Sequence, residues 1–373
     1  MQSLNDLEGI KRLDRGGMYD HIYDFPSQFE DALRLTRVTP IPDWDKSRID
    51  KIVVAGLGGS AIGADLVRSY LADKLDIPMV ICRNYTLPNF VGSSSLVFVS
   101  SYSGNTEETL SAFEDASKRG AKIICMTSNG KVEEISSRKK IPCVHLPKGF
   151  QPRAALGYSF VPVLAMLERL GFVNGEEKNI SQAGEFLAGN RDNYRLEINA
   201  DKNEAKKLAK KLQGKLPIVY ASGDHFDAVS TRWKGQFCEN AKMLAFNNVF
   251  PEFNHNELVV WKVLSDYRDD LIVVILKDKE DHPRIKTRME IVKGIIEEQE
   301  VEVIDAESSG ENLLSRMFSL IQLGDFNSFY LAVLNKEDPT PVKVIDFLKD
   351  ELAKKPWSSR SPRDELREGE RGI

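Results

Sequence analysis

Apolar residues fall along this chain in two alternating rhythms. Between residues 51 and 146, short runs rich in β-branched residues alternate with stretches whose apolar positions recur every three or four residues. The runs at 51–55, 79–82, 96–100, 122–127 and 144–146 read as strands, with helices over 61–71 and 107–119. A comparable succession opens with a strand at 216–221, then a helix over about 226–244, a strand at 271–276, a helix over about 284–297 and a strand at 301–304. Short apolar strands that alternate with helices form parallel sheets covered on both faces. The pattern therefore predicts an α/β fold of two doubly wound parallel-sheet domains with helical connections. The expected divisions are an N-terminal segment and first domain at 1–155, a connection at 156–212 and a second domain at 213–355. A tail at 356–373 has few apolar residues to bury and is expected to be disordered.

Two glycine-rich turns carry the first chemical signal. Gly56-Leu57-Gly58-Gly59-Ser60 follows the first strand, and Ser101-Tyr102-Ser103-Gly104-Asn105-Thr106 follows the strand at 96–100. Each leads into a helix, so backbone N–H groups, positive helix ends and small hydroxyls converge above the strands' carboxyl ends. A phosphate fits such a place. The first turn also satisfies a dinucleotide fingerprint, Gly56-x-Gly58-x-x-Ala61, but that reading wants a carboxylate after the next strand, where Arg83-Asn84 stand instead. Ser101, Ser103 and Thr106 suit phosphate oxygens. The alternative for them is a capped helix start, with Ser103 or Thr106 as N-cap and Glu107 and Glu108 in the first turn.

Composition narrows the partners. The 373 residues are 42% hydrophobic and 29% charged, with a net charge of -5 and a pI near 5.8. An acidic balance argues against general nucleic-acid binding and leaves a small anion as ligand. No apolar stretch approaches the roughly 18 residues of a membrane span, and the polar start Met1-Gln2-Ser3 is unlike a secretory signal, so a cytoplasmic protein is expected. Cys82, Cys125, Cys143 and Cys238 lack paired spacing and read as core thiols, neither zinc ligands nor disulfides.

Other candidates are individually ambiguous. Glu239 lies near the carboxyl end of the polar helix after 216–221 and suits a general base; the alternative is an exposed carboxylate paired with Lys242 three residues on. Arg153 precedes an apolar helix, where a cation opposes the dipole and needs an anionic partner, either a substrate oxygen or a surface ion pair. His255 sits in the polar loop 251–258. Asp338-Pro339-Thr340-Pro341 reads as a helix start with Thr340 as N-cap and Pro341 as first residue; Lys349 lies deep in that helix.

Taken in order, the two turns, Pro-Arg-Ala-Ala-Leu at 152–156, Glu239-Asn240-Ala241-Lys242, Pro251-Glu252 with His255-Asn256-Glu257 and Leu348-Lys349 resemble the bifunctional phosphoglucose/phosphomannose isomerase family of the sugar-isomerase (SIS) domain superfamily. The resemblance runs from about residue 18 to 355. It implies two flavodoxin-like SIS domains with a C-terminal catalytic helix, and an aldose–ketose isomerase acting on glucose 6-phosphate, mannose 6-phosphate and fructose 6-phosphate through a cis-enediolate. By the same resemblance, Ser60, Ser101, Ser103 and Thr106 hold the phosphate with the backbone at Gly59. Glu239 moves the proton between C1 and C2, Arg153 stabilises the enediolate, and His255 and Lys349 assist ring opening. A homodimer is implied, with His255 reaching the partner's site. Family members can carry a threonine seven positions before the terminal lysine, where this chain has Val342. No metal or other cofactor is expected, because the chemistry needs only a base, a cation and a phosphate anchor. The alternatives are a non-catalytic SIS module that binds a phosphosugar as a signal, or another SIS phosphosugar isomerase. The first usually carries a DNA-binding domain, but residues 1–50 show no helix-turn-helix pattern. An aminosugar-phosphate isomerase would be joined to a glutamine-hydrolysing domain with an early cysteine, yet the first here is Cys82.

Overall fold

The structure, a computed structural model, describes residues 4–263 and 265–355. Three helices come first, α1 (Leu7–Leu13), α2 (Met18–Tyr23) and α3 (Ser27–Val38). Phe29, Ala32, Leu33 and Thr36 form the buried stripe of α3, one face of a 3.6-residue period.

The first sheet holds β1 (Lys51–Ala55), β2 (Met79–Cys82), β3 (Ser95–Ser100), β4 (Lys122–Thr127) and β5 (Cys143–His145). All are parallel, in the order β2-β1-β3-β4-β5. Alternation sorts their side chains. Ile52, Val54, Leu96 and Phe98 face α4 (Gly59–Tyr70) and the almost wholly buried α7 (Leu156–Arg169), while Val53, Ala55, Val97 and Val99 face α5 (Glu107–Lys118) and α6 (Gly130–Lys139). Consequently the chain leaves β1 and its neighbour β3 toward opposite faces of the sheet. A crevice opens between them at the carboxyl ends.

After α8 (Glu176–Asn190) and α9 (Glu204–Leu212), the second sheet forms from β6 (Leu216–Ser222), β7 (Phe246–Phe250), β8 (Leu271–Lys277) and β9 (Glu302–Glu307). It is parallel, in the order β7-β6-β8-β9. Helices α10 (Asp227–Glu239), α11 (Pro283–Glu297), α12 (Leu313–Asn335) and α13 (Lys343–Ala353) complete the chain. Val219, Ala221 and Val274 of this sheet join the same apolar cluster as Ile52 and Val54 of the first, with α12 running through it. The two sheets share one core. α12 is the one described helix long and apolar enough to cross a membrane, a length and composition the residue pattern did not lead us to expect; here it is buried along almost its whole length.

The α/β character and parallel order match the expectation, and several elements differ. The helix after β6 ends at Glu239 instead of near residue 244, because the buried Asn240 side chain is held elsewhere and Lys242 takes a left-handed φ of 56°. β7, α6 and α12 were not expected: β7 carries Asn247 and Asn248, and α12 is apolar on nearly all sides, so neither shows a clean stripe. α13 starts at Lys343 with Val342 at its cap, which removes Thr340 as N-cap. Cys82 and Cys125 are buried as expected, whereas Cys143 and Cys238 are partly exposed. The expected tail at 356–373 lies outside the described residues.

Candidate active site

Both glycine-rich turns arrive at the crevice between β1 and β3, and hydrogen bonds tie them together. The Ser100 hydroxyl donates to the Ser60 carbonyl at 3.1 Å, and the Tyr102 N–H donates to the Ser60 hydroxyl at 3.1 Å. Within the second turn, Ser101 Oγ donates to Thr106 Oγ1 at 3.1 Å and the Asn105 N–H reaches Ser103 Oγ at 3.4 Å. Gly58 turns the chain into α4 with a φ of 51°. Gly104, at a φ of 68°, admits no other residue, since a Cβ there would lie 1.7 Å from the Asn129 carbonyl oxygen. Gly59, Ser60, Ser101, Ser103 and Thr106 thus gather at one place.

The capped-helix alternative is met in position, with Glu107 and Glu108 in the first turn of α5, but not in bonding. Thr106 occupies the N-cap position of α5 but makes no side-chain capping bond, and Gly58 at the start of α4 has no side chain to offer. By contrast, Asp6, Asn203 and Asn312 cap α1, α9 and α12. Two helix N-termini without side-chain caps, with the hydroxyls of Ser60, Ser101, Ser103 and Thr106 beside them, can receive an anion. If the turns hold the phosphate that the resemblance implies, replacing Ser101 and Thr106 together by alanine is expected to raise KM for the phosphosugar about tenfold or more and leave kcat within about threefold, because a phosphate is gripped alike in ground and transition states. Steady-state kinetics checks this. An unchanged KM would place the phosphate elsewhere.

The cradle abuts Arg153. A Cβ on Gly59 would lie 2.5 Å from both the carbonyl carbon and oxygen of Pro152 and 2.8 Å from Arg153 N. Only 3% exposed, Arg153 is no surface ion pair. Its Nε donates to Asn240 Oδ1 at 2.6 Å, its Nη2 donates to the carbonyls of Pro339 (2.6 Å) and Thr340 (2.8 Å), and its Nη1 lies 3.5 Å from Glu239 Oε2. Burial pushes the guanidinium's pKa down and the Glu239 carboxylate opposes it; an arginine stays charged regardless. The two carbonyl bonds explain why 338–341 is no helix start: those carbonyls serve Arg153.

Glu239 ends α10 with its side chain one-third exposed, open to a ligand. The expected alternative of a Lys242 ion pair is not formed. Lys242 Nζ donates instead to the main-chain carbonyls of Glu239 (2.5 Å) and Pro339 (3.3 Å), so the carboxylate faces Arg153. A cation beside a partly exposed carboxylate, next to an anion cradle, can move a proton α to a carbonyl and hold the oxyanion that forms. Behind them, Arg232 donates to the Arg153 carbonyl at 2.9 Å and is itself pinned by the buried Asp325 at 2.7 Å, which Gln236 also reaches at 2.8 Å. Burial pushes the Asp325 carboxyl up and Arg232 opposes the shift. Asp325 and the two carbonyls were not found from sequence; Asp325 sits alone in an apolar run, and no side-chain pattern marks a carbonyl.

Neither His255 nor Lys349 makes a hydrogen bond or ion pair with Glu239 or Arg153 among the described residues. Glu239 stands at the end of α10 where β7 begins, and His255 follows the opposite, carboxyl end of β7. His255 is exposed, and among the described residues its side chain makes no hydrogen bond. Lys349 is 70% exposed and lies 3.9 Å from Asp346, a turn earlier on α13. Asp346 in turn is close enough to favour the Arg153 charge. The Thr340 hydroxyl packs against Gly16 and finds no partner among the described residues, so it does not stand in for a hydroxyl at Val342.

A model described as the bacterial phospho-glucose isomerase C-terminal SIS domain matches residues 201–352, and a SIS domain model matches residues 47–169. The chain is 45% identical over 336 residues to a bifunctional phosphoglucose/phosphomannose isomerase of Caldicellulosiruptor bescii, covering 90% of this chain and 99% of that protein. It is 37% identical to one of Aquifex aeolicus, over 81% of this chain and 90% of that protein. A solved structure of a hypothetical protein from Thermus thermophilus superposes with a TM-score of 0.73 over 93% of both chains at 14% identity, a likeness of fold alone.

Proposed function

The chain belongs to the bifunctional phosphoglucose/phosphomannose isomerase family and is an aldose–ketose isomerase interconverting glucose 6-phosphate and mannose 6-phosphate with fructose 6-phosphate; we propose that Glu239 and Arg153 perform its chemistry beside a phosphate cradle built from residues 59–60 and 101–106. The observation that carries this reading is the contact of Gly59 with the Pro152–Arg153 backbone, which seats the Arg153–Glu239 pair against the cradle. With the 6-phosphate held by Ser60, Ser101, Ser103, Thr106 and the Gly59 backbone, C1 and C2 extend toward the pair. Glu239 takes the proton from C2 of the open-chain aldose, and the electrons of that C–H bond form the C1–C2 double bond and leave O1 negative. Arg153 Nη1 stabilises the resulting enediolate. Glu239 returns its proton to C1, the O2 proton passes to O1, and the ketose results. A coupled assay that detects glucose and mannose 6-phosphates separately from fructose 6-phosphate tests the reading; a chain that binds the sugars and turns over neither would be the signal-binding alternative.

The chain works as a homodimer in this proposal, with His255 of one subunit and Lys349 serving ring opening. Support comes from the opposed positions of Glu239 and His255 and from the exposed Leu244, Phe246, Val259 and Val263 near the β7 edge and the His255 loop. Mixed Glu239→Gln and His255→Ala proteins are then expected to regain activity on subunit exchange. About half the dimers would be mixed, each with one intact site, so recovery approaches roughly a quarter of wild-type sites. Recovery no greater than the parents' average, under conditions shown to exchange subunits, would put His255 in its own chain's site or outside catalysis.

A further inference from the structure

Arg153 has five N–H donors, and the fold directs most of them away from the reaction. Nε is taken by Asn240 Oδ1 at 2.6 Å and Nη2 by two carbonyls, which leaves Nη1 turned to Glu239. Of these three holds, the Asn240 bond is the only one made by a side chain, and together with the two carbonyl bonds at Nη2 it fixes the plane of the guanidinium. Asn240 is fully buried and directly follows Glu239. Its own orientation is determined: Nδ2 donates to Ser328 Oγ at 2.9 Å, which donates to the Asp325 carbonyl at 2.7 Å. The same turn of α12 supplies the Asp325 carboxylate that pins Arg232, and Arg232 holds the Arg153 main-chain carbonyl. One turn of the core helix therefore reaches both the backbone of Arg153, through Arg232, and its head, through Asn240.

We propose that Asn240 is a positioning residue for the isomerisation, aiming Arg153 Nη1 at the space beside Glu239 through the chain Asp325 carbonyl, Ser328 hydroxyl, Asn240 amide and Arg153 Nε. This inference rests on the reading of Glu239 as base and Arg153 as the cation over the enediolate. A guanidinium freed at Nε keeps its charge and its two bonds at Nη2 but loses the third that narrows the angle at which Nη1 is presented, and an oxyanion formed only in passing is the group that suffers. Ground-state binding through the phosphate is unaffected.

The test compares Asn240→Leu, Asn240→Asp and Ser328→Ala with the wild type. Asn240→Leu, near in volume and without an acceptor, is expected to lower kcat about 10- to 100-fold with KM for fructose 6-phosphate within about threefold, and to bind sorbitol 6-phosphate, which has no carbonyl to enolise, as tightly as wild type. Asn240→Asp restores an acceptor for Nε and should recover much of the lost kcat, while its negative charge moves the acid limb of the kcat/KM profile to higher pH. Ser328→Ala, which leaves Arg153 and Glu239 untouched, gives a smaller loss in the same direction and serves where the Asn240 variants do not fold. If the folded variants lose thermal stability yet keep wild-type kcat and pH profile, Asn240 is only a structural residue and the proposal is overturned. If Glu239→Gln itself remains active, the proposal falls with its premise, a result distinct from full activity in Asn240→Leu alone.

Discussion

Glu239→Gln is expected to bind fructose 6-phosphate nearly as wild type does and to lose roughly 10²–10⁴-fold or more in kcat, because the amide keeps the shape of the side chain and cannot take up the C2 proton. Nothing in the packing obscures this result. Glu239 is partly exposed at a helix end, its Oε2 contact to Arg153 is 3.5 Å, and Lys242 holds its main chain through the carbonyl and not through the carboxylate. Removing the charge therefore disturbs little besides the reaction. Calorimetric titration with fructose 6-phosphate gives the affinity and a coupled assay gives kcat. Activity within about threefold of wild type would remove Glu239 as the base.

Arg153→Met is expected to be damaged in both catalysis and folding. Losing the cation over the enediolate lowers kcat about 10²–10³-fold, the size typical of a deleted oxyanion donor. The same change leaves the Asn240 amide oxygen and the Thr340 carbonyl without their donor, at about 1–3 kcal/mol for each buried acceptor left unpaired, and leaves the Pro339 carbonyl only its longer bond from Lys242. Arg153→Lys keeps a charge but cannot span three acceptors and the site, so it should regain part of the stability and little of the rate. Denaturant midpoints and kcat, measured on the same preparations, separate the two effects. Wild-type stability in Arg153→Met would mean that water satisfies those acceptors; wild-type kcat would mean that the enediolate is stabilised by another group.

The sequence by itself determined the parallel α/β architecture and the two glycine-rich turns, and the reason is that both are local. A run such as Ile52 to Ala55, apolar on both faces, must be a covered parallel strand, and Gly58 or Gly104 can take its positive φ whatever lies around it. The hydroxyls of Ser60, Ser101 and Thr106 come with those turns, so chemistry and conformation were legible in the same few residues. Arg153 and Glu239 were legible only as candidates. Each had a duller reading, and what excluded it was tertiary: the burial of Arg153 by residues 240 and 339–340, and the turn of Lys242 away from the Glu239 carboxylate. α12 escaped because a helix buried on all sides shows no polar face from which to count a period. The tertiary structure alone decided that Asp325, Ser328 and Asn240 form a line to Arg153, since the bonds that carry it from α12 to Asn240 and on to Arg153 join residues 88 and 87 positions apart and leave no spacing in the sequence to find.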